Sequence, residues 1–194
     1  LTAPLAHSLE GADIWSFGVV FWEIIGFNID RRDELVAHAM SELAALPATD
    51  RMRAALAAHA PYSVAPALLR SIGQAMARMP SVPCSVHLAE GAEEVELLRT
   101  GGGPWKALMK DIGSWNHEWR APGVGPVQYL DDLGFLGDRV LVVHGVQMAP
   151  ADLARLASRG TTLVACPRSN RHTGAGVPPV EAFYASGVRV APNA

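Results

Sequence analysis

Three histidines in this sequence, His59, His87 and His144, each close an apolar run, and a glutamate, Glu90, follows the middle one three residues on. Imidazole is a good ligand for zinc or iron, and a catalytic metal site keeps one position for water. Such a metal lowers the pKa of its water towards about 7, which makes hydroxide available at neutral pH. A carboxylate beside that water carries the proton on to a leaving group, worth about 10²–10⁴ in rate. Glu90 stands where that carboxylate is needed, with helix capping as the plainer use. His144 is placed either to bind metal or to hydrogen-bond the activated water. One buried histidine is ordinarily a hydrogen-bonded core residue. Three of them ending consecutive strands aim at one mouth. Glu23 lies at the end of an earlier apolar run, and Cys166-Pro167 follows a later one.

The elements that must position these residues alternate along the chain. Apolar runs at 17–25, 53–60, 83–88, 139–144, 161–165 and 188–191 read as strands, that at 53–60 less distinctly because Ala and Leu also suit a helix. Helical spacing covers 31–45, 66–79, 92–99, 126–136, 150–158 and 178–185, with Pro66 in a first turn where its missing N–H costs nothing. The helix at 92–99 reads as acidic-faced. Repeated βα units with near-continuous apolar strands imply a parallel sheet buried on both faces. No GxGxxG or Walker A motif follows any strand, which disfavours a doubly wound nucleotide fold. Histidines at the C-terminal ends of several strands favour a (β/α)8 TIM barrel, where catalytic residues occupy those ends. Residues 100–124, opened by Gly101-Gly102-Gly103-Pro104 and carrying Trp105, Trp115 and Trp119, break the rhythm and read as an insertion over the barrel mouth. Its tryptophans suit either a lid or packing onto the barrel. Residues 1–15 form an unassigned lead-in to a single domain spanning 1–194.

Composition narrows the function classes. At 49% hydrophobic and 18% charged, the 194-residue chain has the profile of a soluble globular protein. Sixteen basic against nineteen acidic residues, net charge -3, provide no electrostatic footprint for nucleic acid. No apolar run is long enough for a membrane span. Two widely spaced cysteines, Cys84 and Cys166, and no signal peptide suggest a reducing cytoplasm. Both ends read as internal to a longer polypeptide, and a barrel typically needs about 250 residues.

The strings Val86-His87-Leu88-Ala89-Glu90, Pro126-Val127-Gln128-Tyr129-Leu130, Val143-His144-Gly145, Cys166-Pro167-Arg168-Ser169-Asn170 and Gly187-Val188-Arg189-Val190, with Ala60-Pro61-Tyr62-Ser63 upstream, occur in an order that resembles the amidohydrolase superfamily, deaminase and chlorohydrolase branch. The resemblance implies a partial barrel, roughly strands 3 to 8, lacking the N-terminal strands and the end of strand 8. It implies one divalent metal, zinc or iron, in the full-length protein. By this resemblance His87 is a metal ligand, Glu90 the proton relay, and His144 the residue that orients the water or the developing charge. His59 and, more loosely, Glu23 correspond to substrate-binding positions in nucleoside-deaminating members. Cys166, Pro167, Ser169 and Asn170 correspond to structural or pocket-lining positions.

The family's HxH motif has no counterpart, and Ala191-Pro192-Asn193-Ala194 stands where GTDS would begin. Only His87 of the metal's first ligands is present, so the expectation is that these 194 residues alone are metal-poor and inactive. The implied reaction of the full-length protein is hydrolytic deamination of a heterocyclic small molecule, with nucleoside-like ones among the candidates. The alternatives are a non-catalytic or incomplete barrel, or an amidohydrolase with an amide, ester or halide leaving group. Open sheet edges in a partial barrel favour self-pairing, hence a homo-oligomer.

Overall fold

The computed structural model describes residues 18–24, 32–46, 49, 52–79 and 82–192. Six strands, β1 (Gly18–Ile24), β2 (Met52–Ala58), β3 (Cys84–Leu88), β4 (Val140–His144), β5 (Thr162–Ala165) and β6 (Arg189–Pro192), form one sheet in the order of the chain. Every adjacent pair is parallel. A doubly wound sheet reverses its strand order at a switch point. Here the order never reverses, so each crossover advances the sheet in the same direction, as in a (β/α)8 barrel. The parallel α/β architecture and partial-barrel reading are borne out.

The helices are α1 (Arg32–Ala45), α2 (Pro66–Ala77), α3 (Ala92–Thr100), α4 (Pro104–Asp111), α5 (Pro126–Asp132), α6 (Pro150–Ser158), α7 (Pro167–Thr173) and α8 (Val180–Ala185). Pro66, Pro104, Pro126, Pro150 and Pro167 all stand in first turns, where proline's fixed φ suits the helix. α7 was not foreseen, because its sequence is polar and carries no 3.6-residue apolar stripe. The insertion contributes α4, in keeping with the short helical pieces expected there.

The core lies between sheet and helices. Leu68, Leu69 and Ile72 of α2, Leu153 and Leu156 of α6, and Phe183 of α8 are fully buried against Leu56, Val86, Val142 and Leu163 of the strands. In β3, Cys84, Val86 and Leu88 are buried while Ser85 and His87 between them are only half-buried. Strand alternation therefore sends one set towards the helices and leaves His87 on the other face. Asp131 of α5 is covered and bridges to α6 and its C-cap through Arg155 at 2.8 Å and Arg159 at 2.6 Å.

Candidate active site

Parallel strands deliver all their C-terminal ends to one rim. His59 directly follows β2, His87 is the penultimate residue of β3 and His144 the last of β4. The rim is sewn together beyond the ladders. The His87 amide donates to the His59 carbonyl at 2.8 Å, Gly145 N–H to the Leu88 carbonyl at 3.1 Å, and Gln147 N–H to the Ala89 carbonyl at 2.8 Å.

Register alone would not bring His87 and His144 together. His144 pairs with Leu88, and His87 with Val143. In strict alternation the His144 side chain would follow Val140 and Val142 to the helix layer. Its backbone instead takes φ +83°, in the left-handed region that costs an L-residue roughly 1–2 kcal/mol. That departure from the pleat lets the ring reach His87, whose Nδ1 lies 3.0 Å from His144 Nε2. Gly145 continues the turn at φ +70°, with Leu163, Met148 and Phe183 pressed against the space a Cβ would fill.

The buried His144 ring is held from two sides. Its Nδ1 lies 2.7 Å from Asn170 Oδ1, and Nε2 lies 3.5 Å from Glu90 Oε2 as well as close to His87. With the carbonyl oxygen of Asn170 as acceptor, the proton sits on Nδ1 and the lone pair on Nε2. His87 Nδ1 then donates to that lone pair, which puts the His87 lone pair on Nε2. Burial holds the His144 imidazole below the usual histidine range; His87 adds to this, and Asn170 and Glu90 oppose it. The ring is kept neutral, as a ligand or acceptor must be.

Glu90 is about a quarter exposed, and its other carboxylate oxygen accepts from Thr173 Oγ1 at 3.3 Å. It follows Ala89, whose φ is +53°. The amides of Ala89 and Glu90 donate to Glu94 Oε1 at 3.1 Å and Oε2 at 3.2 Å. Glu94 is 1% exposed, whereas an acidic-faced helix would have left it in water. Burial pushes its carboxyl up to about 8, against the two amide donors.

Across the rim, His59 Nδ1 meets Ser63 Oγ at 2.5 Å, and the His59 ring packs edge-on against both His87 and Tyr62 at 5.5 and 5.6 Å between centroids. Trp105 of the insertion stacks on Tyr62 at 4.2 Å and 10° between ring planes. Trp115 is buried with Leu97 and Met109, and Trp119 packs beside it, so these two serve packing.

His59, His87, Glu90 and His144 therefore gather as one cluster. Glu23 lies in β1 opposite Ala57, and its side chain falls outside the described residues, as does the 1–15 lead-in. Asn170 was expected as a structural or pocket-lining residue, whereas Thr173 and Glu94 were not singled out. Asn170 had a signal in the Cys166–Asn170 string, but it serves through His144; for Glu94 the only signal was its place in a first helical turn. The donor chemistry fits one ligand position of a zinc or iron site, the His87 Nε2 lone pair, with His144 and Glu90 beside it. Among the described residues, no group of three or more His, Cys, Asp or Glu is arranged to hold an ion.

The amidohydrolase family model matches residues 16–191. The chain belongs to the amidohydrolase family. It is 37% identical over 184 residues to an aminodeoxyfutalosine deaminase of Deinococcus radiodurans, covering 90% of this chain and 43% of that protein. A solved aminofutalosine deaminase of Helicobacter pylori is 27% identical, with TM-score 0.76, over 90% of this chain and 43% of that one. An adenosine deaminase of Xanthomonas campestris solved with bound zinc is likewise 27% identical, with TM-score 0.68, over 90% and 36%. The chain thus spans less than half the length of these relatives. Among the described residues, no helix is long and apolar enough to cross a membrane.

Two outcomes follow from the buried groups. Asn170→Ala removes the acceptor for His144 Nδ1–H, so ring-nitrogen NMR shifts should change from a single Nδ1–H tautomer to a mixture, with about 1–3 kcal/mol lost in stability. An unchanged spectrum would contradict the assignment. Glu94 has a folded pKa of about 8 against 4.5 ordinarily, so between those values the folded state holds more protons than the unfolded. Its contribution to stability should fall as pH rises across that window, by at most about 1.4 kcal/mol per unit, and be flat outside it. Urea unfolding of wild type and Glu94→Gln across pH checks this; a constant difference would be inconsistent with it.

Proposed function

We propose that the full-length protein is a metal-dependent hydrolase that deaminates a heterocyclic, nucleoside-like small molecule. The observation that carries this reading is the convergence of His87, His144 and Glu90 at the ends of adjacent strands in an amidohydrolase-family chain. The names of the similar proteins, aminodeoxyfutalosine and adenosine deaminases, support the substrate class.

His87 would be one ligand of a divalent metal, zinc or iron, with its Nδ1–H directed to His144 in the manner of outer-shell partners that orient ligand histidines. Bound there, the metal supplies a water of lowered pKa. Glu90 would act as the proton relay, accepting the proton of the attacking water and passing it first to the ring nitrogen beside the reacting carbon and then to the departing amine. The new C–O bond replaces the C–N bond, and ammonia leaves. His144, kept neutral by burial, would orient the water through the two groups its Nε2 faces, His87, whose Nδ1–H it accepts, and Glu90. His59 and Glu23 are the proposed substrate contacts, and the 100–124 segment, through Trp105 on Tyr62, covers that side of the mouth.

Glu90→Gln in the full-length protein tests the relay. Release of ammonia from aminodeoxyfutalosine or adenosine should fall by about 10²-fold or more; unchanged turnover would refute the role. The two cysteines, Cys84 and Cys166, stand far apart in the sequence with no CxxC spacing, which supports a reducing compartment such as the cytoplasm. In these 194 residues alone, self-pairing of the open sheet edges at β1 and β6 would give a homo-oligomer. Cell fractionation and size-exclusion chromatography check these two readings, a secreted protein or a clean monomer telling against them.

A further inference from the structure

Glu94 occupies the third position of α3, counting from its N-cap Gly91. An acidic residue there ordinarily reaches back to the N-cap amide. The same protein shows this ordinary arrangement in α6, where Asp152, also third, accepts from the N-cap amide of Ala149 at 2.9 Å. Glu94 passes over Gly91 and takes the amides of Ala89 and Glu90 instead, one with each carboxyl oxygen. It is not needed for the helix dipole, since Glu93 stands in the same turn and is exposed. Burying a carboxyl is costly unless its hydrogen bonds are specific, and here both go to the turn that carries Glu90.

That turn is unusual in itself. Ala89 adopts φ +53° without being a glycine, and the carbonyls on either side of its peptide are already committed, Leu88 to Gly145 and Ala89 to Gln147. The carbonyls tie the turn to the end of β4, the amides tie it to Glu94, and Glu90 emerges with Oε2 3.5 Å from His144 Nε2. We propose that Glu94 is a positioning residue: by holding the Ala89 and Glu90 amides it fixes the left-handed turn that presents the Glu90 carboxylate to His144. This rests on the reading of Glu90 as the proton relay. The protonation preference of the buried carboxyl is compatible with it, because a neutral carboxyl still accepts hydrogen bonds at its oxygens.

The test is a double-mutant cycle in the full-length, metal-loaded protein, with Glu94→Ala and Glu94→Gln each made alone and with Glu90→Gln. Deamination of aminodeoxyfutalosine and adenosine, metal content per chain and crystal structures are the readouts. Glu94→Ala is expected to lower kcat about 10²-fold, the scale of a displaced catalytic group, with KM and metal content little changed. Glu94→Gln, which keeps one acceptor, should recover part of that loss. In the Glu90→Gln background neither change should slow the enzyme further, since the effect passes through Glu90. An equal loss in both backgrounds, or a loss of metal parallel to the loss of rate, would overturn the proposal. If Glu94→Ala does not fold, Glu94→Gln carries the same cycle. If Glu90→Gln alone leaves turnover intact, the relay reading fails, and the crystal structures then decide: a Glu90 carboxylate displaced from His144 sustains the positioning role, and one left in place overturns it.

Discussion

The ring of His144 is the joint on which the site turns. It is buried, it sits on a left-handed backbone, and its two nitrogens face Asn170 on one side and His87 with Glu90 on the other. Because Asn170 comes from α7, His87 and Glu90 from β3 and the turn after it, and His144 from β4, this one imidazole ties three βα units into a common mouth. A buried imidazole with both nitrogens directed has little freedom to rotate or change tautomer. The chemistry proposed for Glu90 and His87 presupposes that rigidity.

Around this joint the protein spends its buried polar groups on orientation. Glu94 and Asn170, both almost wholly inaccessible, hold backbone amides and a ring nitrogen. A loop carrying catalytic groups needs such support, because the groups must stay within a fraction of an ångström of their working places. The rim hydrogen bonds from Gly145 and Gln147 to the Leu88 and Ala89 carbonyls work to the same end. Side chains and main chain thus share one task, fixing the turn after β3 against the end of β4.

The insertion connects to the site by ring contacts. Trp105 stacks on Tyr62, Tyr62 meets His59, and His59 meets His87, so α4 is joined to the rim by a continuous run of aromatic contacts. The tryptophans divide the work: Trp105 reaches the rim, while Trp115 and Trp119 anchor the segment to α3 and the core. Membership of the amidohydrolase family accounts for the rim position of the histidines, and the aromatic path is how this chain couples its insertion to them.

Much of this was legible in the linear sequence. Apolar runs alternating with helical spacing determined a parallel α/β sheet, and histidines at the ends of three runs determined that one rim gathers them, because parallel strands place like ends together. Even the family followed from ordered short strings. What the sequence could not contain was side-chain direction at the points where the pleat is broken. Alternation would have turned His144 away from His87; the left-handed φ brings it back. Periodicity would have left Glu94 on a solvated helix face and Thr173 in an unremarkable polar stretch, and the string that holds Asn170 did not say which ring it would meet. Their roles were decided when α3 and α7 packed against the strand ends, since which amides and rings a side chain can reach depends on the approach of segments distant in sequence. The sequence determined the kinds of groups present and the rim that bears them; tertiary packing decided which of them meet, and in which protonation state.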